Sequence, residues 1–324
     1  MLSEIKPFGR LVKWIFGSFY DFYRFSKYGG WRVDLKNKEQ RNYYSAKVYH
    51  SLEKSMSFTT NNPNSGWGNA LLLVEVLEFA KKFDNVGFHD LLGYDVLKKF
   101  IDNNNGQTKN NLANEVRTRV NELGDFFDKT DEPSGTVVLS QNDLRKGTLI
   151  EPDVFFNSRY SVREFSERKV CRDKLNSAIS LSLKTPSACN RQPWHVYHVS
   201  DKERIQEALS HQSGNRGFND KIQDLLIVCS DIRAFNPGSE RYQHWIDGGM
   251  YSMSLVYTLH SMGIASCCLN WSHQGKNDLE FRKQFREISH SHTIIMMIAI
   301  GEPNASNKLC ISPRRPVEEI YSEI

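Results

Sequence analysis

Two successive patterns predict a mixed helix-and-strand fold, with an all-helical first 125 residues and alternating helices and strands after residue 150. The first rests on apolar residues recurring at helical spacing, and the second on four short apolar runs rich in β-branched residues or bounded by polar breaks. Between them, Asp125 to Gly147 is polar and contains Asp131-Glu132-Pro133-Ser134-Gly135, the composition of a linker or long surface loop. The chain therefore divides into 1–125, 126–150 and 151–324.

The helical part opens with Leu11, Val12, Trp14, Ile15, Phe16, Phe19, Tyr20, Phe22, Tyr23 and Phe25 interleaved with basic residues, which predicts a helix over residues 1 to about 30. The first 32 residues hold six basic side chains (Lys6, Arg10, Lys13, Arg24, Lys27, Arg32) against Glu4 and Asp21, a surplus equal to the +4 of the whole chain. A basic, aromatic helix of this kind suits the surface of an anionic membrane, and equally suits packing on the protein's own core or on a second subunit. A second helix covers about 37–60 and is broken by Asn61-Asn62-Pro63-Asn64-Ser65-Gly66. Within it His50 and Glu53, one turn apart, read as an ordinary helix contact before a proton-transfer pair. Helices at about 69–83, 92–102 and 110–123 complete this part.

In the second part the expected strands are His195–Val199, Leu225–Ser230, Ile264–Leu269 and Thr293–Ile300, with helices between them. Those helices include about 172–184 and a long one over about 245–262, which Gly263 stops and whose apolar content predicts burial on most sides.

Length and composition allow a full core: 324 residues, 39% apolar and 12% aromatic. The charge is mild, and neither a Lys/Arg tract nor zinc-finger spacing occurs, which argues against nucleic acid as a partner. All six cysteines fall in the second half without a Cys-x-x-Cys pair or a secretory signal pattern, so the expected setting is reducing and cytoplasmic, with peripheral membrane contact through residues 1–30 left open. No run of about 18 apolar residues suggests a membrane-spanning helix. His290-Ser291-His292 lacks a third ligand at zinc spacing and reads as a loop before a strand. Cys267-Cys268 reads as two buried thiols.

The chemistry concentrates in two segments. Arg159, Ser161 and Arg163 alternate in Ser158-Arg159-Tyr160-Ser161-Val162-Arg163-Glu164-Phe165, which puts two guanidinium forks and a hydroxyl on one side of an extended chain. Such a row suits an anionic ligand with hydrogen-bonding heteroatoms. Pro186-Ser187-Ala188-Cys189-Asn190-Arg191-Gln192-Pro193-Trp194 is a small polar turn locked by prolines. With Asp247-Gly248-Gly249 opening the long helix, and Ile300-Gly301-Glu302-Pro303 followed by Pro313-Arg314-Arg315-Pro316, these segments occur in an order that resembles the FMN-dependent nitroreductase family over roughly half the chain.

The resemblance implies an α+β fold with a central, mostly antiparallel sheet flanked by helices, here preceded by an all-helical N-terminal region, and a homodimer with FMN at each subunit interface. It implies that NADH or NADPH reduces FMN and that the flavin then reduces a small-molecule acceptor (a nitroaromatic, a quinone or a dedicated biosynthetic intermediate) in a ping-pong cycle, with no obligatory side-chain acid or base. Carried over by position, Arg159 and Arg314 hold the FMN phosphate and Ser161 the phosphate or ribityl region, with Tyr160 beside them. Arg163 approaches the N1/O2 edge of the flavin, Asn219 bonds the pyrimidine ring, and Leu269 and Asn270 lie beside N5. Pro186, Ser187, Ala188 and Asn190 reach the cofactor of the partner subunit. The alternatives are an FMN-binding protein with repurposed or no reductase activity, and a membrane-surface or interaction module built on the same scaffold.

Overall fold

The computed structural model describes residues 2–60, 62–127, 130–271 and 275–324. Met1 of the first expected helix, Asn61 of the expected break, and Asp128 and Lys129 of the expected linker lie outside the described residues.

The N-terminal helices are α1 (Leu2–Tyr28), α2 (Lys38–Met56), α3 (Trp67–Phe83), α4 (Phe88–Asn103) and α5 (Leu112–Leu123), each matching an expected one. Their ends follow local chemistry. The Asn37 side chain accepts from the Gln40 N–H and starts α2, and Asp90 accepts from the Gly87 N–H at the start of α4. α2 to α5 pack around a core of their own that includes Trp67, Leu77, Leu97 and Phe100, all buried. Inside it Arg41 and Asp90, both fully buried, pair at 2.9 Å, and Arg41 also donates to the carbonyls of Leu35 and Asn85.

One short helix, α6 (Gln141–Arg145), interrupts the segment read as loop, and another, α7 (Pro152–Asn157), follows just beyond it. Ser140 caps α6 by accepting from the Asp143 N–H, a start signal that the polar composition hid. His50 and Glu53 meet at 3.4 Å, and Glu53 also accepts from the Gly135 N–H, so this pair pins the connecting segment to α2.

In the second half α8 (Arg172–Ser182), β1 (Trp194–Val199), α9 (Lys202–Ser210), β2 (Asp224–Asp231), α10 (Gln243–Ser261), β3 (Ala265–Asn270), α11 (Gly275–Gln284) and β4 (His292–Gly301) follow in order. The four strands make one antiparallel sheet in the order β1-β2-β4-β3, with Trp194 opposite Ser230, Asp224 opposite Ile300 and Ala265 opposite Gly301. Each strand lies within a residue of its expected limits. The fold is therefore α+β with a central antiparallel sheet. β2 and β4, the inner pair, are buried on both faces, which is why they read as continuous apolar runs. One face carries Leu225, Ile227, Met297 and Ala299 against α9 and α11, and the other carries Leu226, Val228, Ile298 and Ile300 against α8 and α10.

α10 departs from the expectation of burial on most sides. Tyr251, Leu255, Val256 and Leu259 are buried, while Trp245, Ile246, Met250 and Met253 on its outer face are exposed. Its apolar residues are spread too widely around the helix for one sheet to cover, so an apolar strip is left facing outward. Among the described residues no helix is long and apolar enough to cross a membrane.

The helical half meets the sheet at the end where β1 begins and β2 finishes. Tyr43 donates to Asp231 at 3.2 Å, the Gly30 N–H donates to the Phe235 carbonyl, and Arg24 donates to Thr293 and to the His290 carbonyl. Asp231 is the hub of this junction. Burial works against its ionisation, but hydrogen bonds from His292 and Arg233 outweigh that and hold its carboxyl well below the usual carboxylate range. A depressed folded-state pKa stabilises the fold in full above the unfolded value near 3.9, and the contribution is lost as pH falls through the folded value. Asp231→Asn should therefore lower stability to urea at pH 7, and the gap from the unsubstituted protein should narrow steadily below about pH 4. A gap independent of pH would mean that the carboxylate charge is not what holds the junction.

Candidate active site

The arginine segment runs along the outer edge of β3 without becoming a fifth strand. Ser161 bridges Ser266, the Val162 N–H donates to the Ser266 carbonyl at 3.0 Å, and Phe165 bridges Pro303. Val162 and Phe165 are buried, Arg159 and Ser161 half-buried, and Tyr160 and Arg163 exposed. Gly301 explains part of the Ile-Gly-Glu-Pro motif, because a Cβ there would lie 2.6 Å from the Phe165 ring. The guanidinium groups of Arg163 and Arg159 act on the thiols of Cys267 and Cys268 respectively; crowding around each sulfur outweighs them and raises both thiols. The expectation of two buried thiols holds for Cys267 only. Cys268 is exposed, since adjacent residues of a strand point to opposite sides.

The loop that ends at Asn219 closes on the same strand. Gln212 donates to the Asn270 carbonyl at 2.9 Å, and Gly214 lies against Leu269. Asn219 is held through its own carbonyl, which accepts from Gln206, while its side-chain Oδ1 is buried and has no hydrogen-bond partner among the described residues. An unpaired buried acceptor is costly, by about 1 to 3 kcal/mol, and Asn219 shares this condition with Asn85, Ser230 and His244. Glu164 and Phe165 face Asp220 and Lys221 across a cavity of about 490 Å³, so the arginine segment and the Asn219 turn are neighbours. One chain thus gathers Arg159, Ser161, Arg163, Asn219, Leu269 and Asn270 around β3.

The proline-bounded turn lies elsewhere. It leads into β1, at the opposite edge of the sheet, where the Asp231 N–H donates to the Pro193 carbonyl at 2.7 Å. Three strand spacings separate β1 from β3, roughly 14 Å at about 4.8 Å each. Pro186, Ser187, Ala188 and Asn190 therefore do not join Arg159 and Asn219 within one chain. Arg314 also stands apart. It sits in an exposed C-terminal tail, where it donates to the Ser312 carbonyl; the tail touches the arginine segment at Cys310, whose sulfur lies 3.5 Å from Arg163.

The turn is strained and clamped. Cys189, Asn190 and Gln192 have φ of 52°, 51° and 51°, three non-glycine residues in the left-handed region, each costing about 1 to 2 kcal/mol. Buried Arg191 offsets this. It forms a bidentate pair with Glu240 at 2.6 and 3.0 Å, donates to the Ala188 and Ala234 carbonyls, and lies over the Phe235 ring. Burial raises the Glu240 carboxyl, but the Arg191 bond more than reverses this and leaves it below its ordinary value. Asp247 accepts from the Ala188 N–H at 3.1 Å and from Gln243 at 2.7 Å; its burial outweighs these bonds and raises its carboxyl. Beside it, Gly248 lets α10 approach β4, since a Cβ there would lie 2.5 Å from Ile295. The Asp-Gly-Gly motif thus fixes the turn and seats the helix. Arg191, Glu240 and Asp247 were not among the expected site residues. Their signal lies in pairing across the fold, which sequence spacing does not show.

The histidine run behaves as a structural feature. His292 opens β4 with its two ring nitrogens on Tyr197 and Asp231, and His290 stacks on Tyr28.

The fold and this edge define an α+β domain with Arg159, Ser161 and Arg163 in a row along β3. Residues 157–226, in the second half of this chain, match the family model described as the Nitroreductase family. The chain is 23% identical over 195 residues to a Bacillus subtilis protein named "Putative NAD(P)H nitroreductase YodC", covering 48% of this chain and 93% of that one. It is 29% identical over 75 residues to an oxygen-insensitive NADPH nitroreductase of Helicobacter pylori, covering 23% of this chain and 36% of that one. A solved structure described as an FMN-dependent nitroreductase of Clostridium difficile R20291 is 18% identical, with 48% of this chain and 90% of that chain covered and a TM-score of 0.41.

Removal of the clamp provides a test of how the turn is held. Arg191→Ala leaves Glu240 unpaired and should lower stability to urea by about 3 kcal/mol. A loss below about 1 kcal/mol would show that the strained turn holds its shape without Arg191.

Proposed function

We infer that the second half of the chain is an FMN-binding oxidoreductase domain that takes electrons from NAD(P)H, passes them to an organic acceptor, and works as a homodimer. The observation that carries this reading is the buried Oδ1 of Asn219, without a partner among the described residues, in a turn that shares a cavity with the Glu164–Phe165 end of the arginine segment. The donor set fits the cofactor: guanidinium groups for a phosphate, and an amide acceptor for an imide N–H of a pyrimidine ring. When bound, FMN supplies the two-electron chemistry.

The chain's own part is binding, orientation and charge placement. Arg159 and Ser161 anchor the anionic end, Asn219 fixes the ring in its plane, and the Leu269–Asn270 backbone lines it. Arg163 places positive charge where a reduced ring collects negative charge, which makes reduction easier. Pro186, Ser187, Ala188 and Asn190, held at the far edge of the sheet, serve the site of a second copy, where small side chains allow close approach. The outer face of α10 (Trp245, Ile246, Met250, Met253) and the apolar residues of the tail (Ile311, Val317, Ile320, Tyr321), all exposed in the single chain, supply the contact area that such a dimer needs.

The purified protein should show the visible absorption of bound flavin and bleach with NADH or NADPH under anaerobic conditions. Flavin that does not bleach would leave a binding protein without reductase activity, and a colourless protein that takes up no added FMN would sink the reading. Arg159→Ala should weaken FMN retention by about 1.5 to 3 kcal/mol, roughly tenfold to a hundredfold. Asn219→Ala should weaken it by about 1 kcal/mol while leaving the FMN-free protein no less stable, because the orphaned acceptor is removed with the bond it makes.

A further inference from the structure

α1 leaves uncovered an apolar surface that the oxidoreductase reading does not use. Phe8, Phe16, Phe19 and Phe22 are 67%, 71%, 67% and 71% exposed, and Leu11 and Ile15 beside them are also exposed. At about 100° per residue these six side chains and Tyr23 fall within an arc of roughly 140° along a helix about 40 Å long. The residues that tie α1 to the rest of the protein lie on the opposite side. Tyr20 donates to Asp278 at 2.6 Å, Arg24 to Thr293 at 3.0 Å, and Phe25 packs edge-on against His244. Around these anchors Trp14, Gly17 and Asp21 line a cavity of about 240 Å³ between α1 and the domain. The helix therefore lies along the protein with its apolar arc facing away from it.

Charge selects the occupant. Lys27 borders one side of the arc, and Lys13 lies farther round on the same side, where it lines the cavity against the domain; both are exposed, and their long stems let the ammonium groups reach back toward the rim of the arc. The first 32 residues carry the chain's entire surplus of positive charge. The surface assigned above to a second copy is different in kind, since α10 contains neither lysine nor arginine. Apposing two copies through α1 would bring like charges together, whereas an anionic bilayer offers hydrocarbon for the arc and phosphate for the basic border.

We propose that α1 is a membrane-surface helix that docks this protein on anionic lipid bilayers, lying flat with Phe8, Leu11, Ile15, Phe16, Phe19 and Phe22 in the headgroup–acyl boundary. The inference stands independently of the flavin reading. It places the oxidoreductase domain against the bilayer, held there through Tyr20 and Arg24 on the side of α1 that faces the protein.

Flotation of the full chain with vesicles tests this. The protein should float with phosphatidylcholine vesicles containing roughly 30% phosphatidylserine, not with phosphatidylcholine alone, and binding should fall with added salt. Phe16→Ser with Phe19→Ser should abolish flotation without changing the circular dichroism spectrum, since both side chains are exposed. Lys13→Glu with Lys27→Glu should weaken binding at least roughly tenfold. Failure to float with anionic vesicles would overturn the proposal, as would undiminished flotation of the serine variant. A fall in the sedimentation mass of that variant without vesicles would also overturn it, by assigning the arc to a second copy.

Discussion

The order of strands in the sheet is the constraint on which the rest of this structure depends. β2 and β4 stand between β1 and β3, so whatever precedes β1 and whatever lines β3 are held apart by the full width of the sheet. The arginine segment, the Asn219 turn and the end of β3 form one cluster. The proline-bounded turn forms another at the opposite edge of the sheet. Under the flavin reading, the second cluster serves the site of another chain. The apolar strip on the outside of α10 and the apolar tail are the surfaces such an arrangement would cover.

Each cluster is held by a different means. The turn before β1 contains three left-handed non-glycine residues, and a buried guanidinium with two carboxylates keeps it in that shape. It is preorganised, and its strain is offset locally by charged hydrogen bonds. The cluster at β3 is less complete. Arg163 is exposed, and Asn219 keeps a buried oxygen without a donor.

The helical half attaches to the sheet domain through charged and polar contacts at the end of the sheet away from the Ser161–Ser266 bridge. Asp231, Arg233, Tyr43 and His292 make one junction, and Tyr20, Arg24, Asp278 and Arg282 make another. The second lies on the inner side of α1 and leaves the outer side for a different environment. The aromatic surface of α1 is left uncovered, whereas α2 to α5 bury their apolar residues in a core of their own. Its basic border distinguishes it from the neutral outer face of α10.

Helix positions and strand limits were legible in the amino-acid order because apolar periodicity is local, and the two inner strands declared themselves by the unbroken apolar runs Leu225–Cys229 and Ile294–Ile300. The motif residues were legible as a set, because their chemical types and order along the chain need no geometry. Short helices α6 and α7 escaped, being set by a serine cap and a proline start within polar sequence. Only the tertiary structure decided which motif residues share a site, since pairing order across a sheet is not written in the spacing of residues along the chain. It also separated Cys267 from Cys268, exposed the outer face of α10, and showed Arg191 and Asp247 holding the turn before β1. Each of these depends on contacts between segments distant in sequence, and that is the physical reason the chain alone could name the parts of the site and not their arrangement.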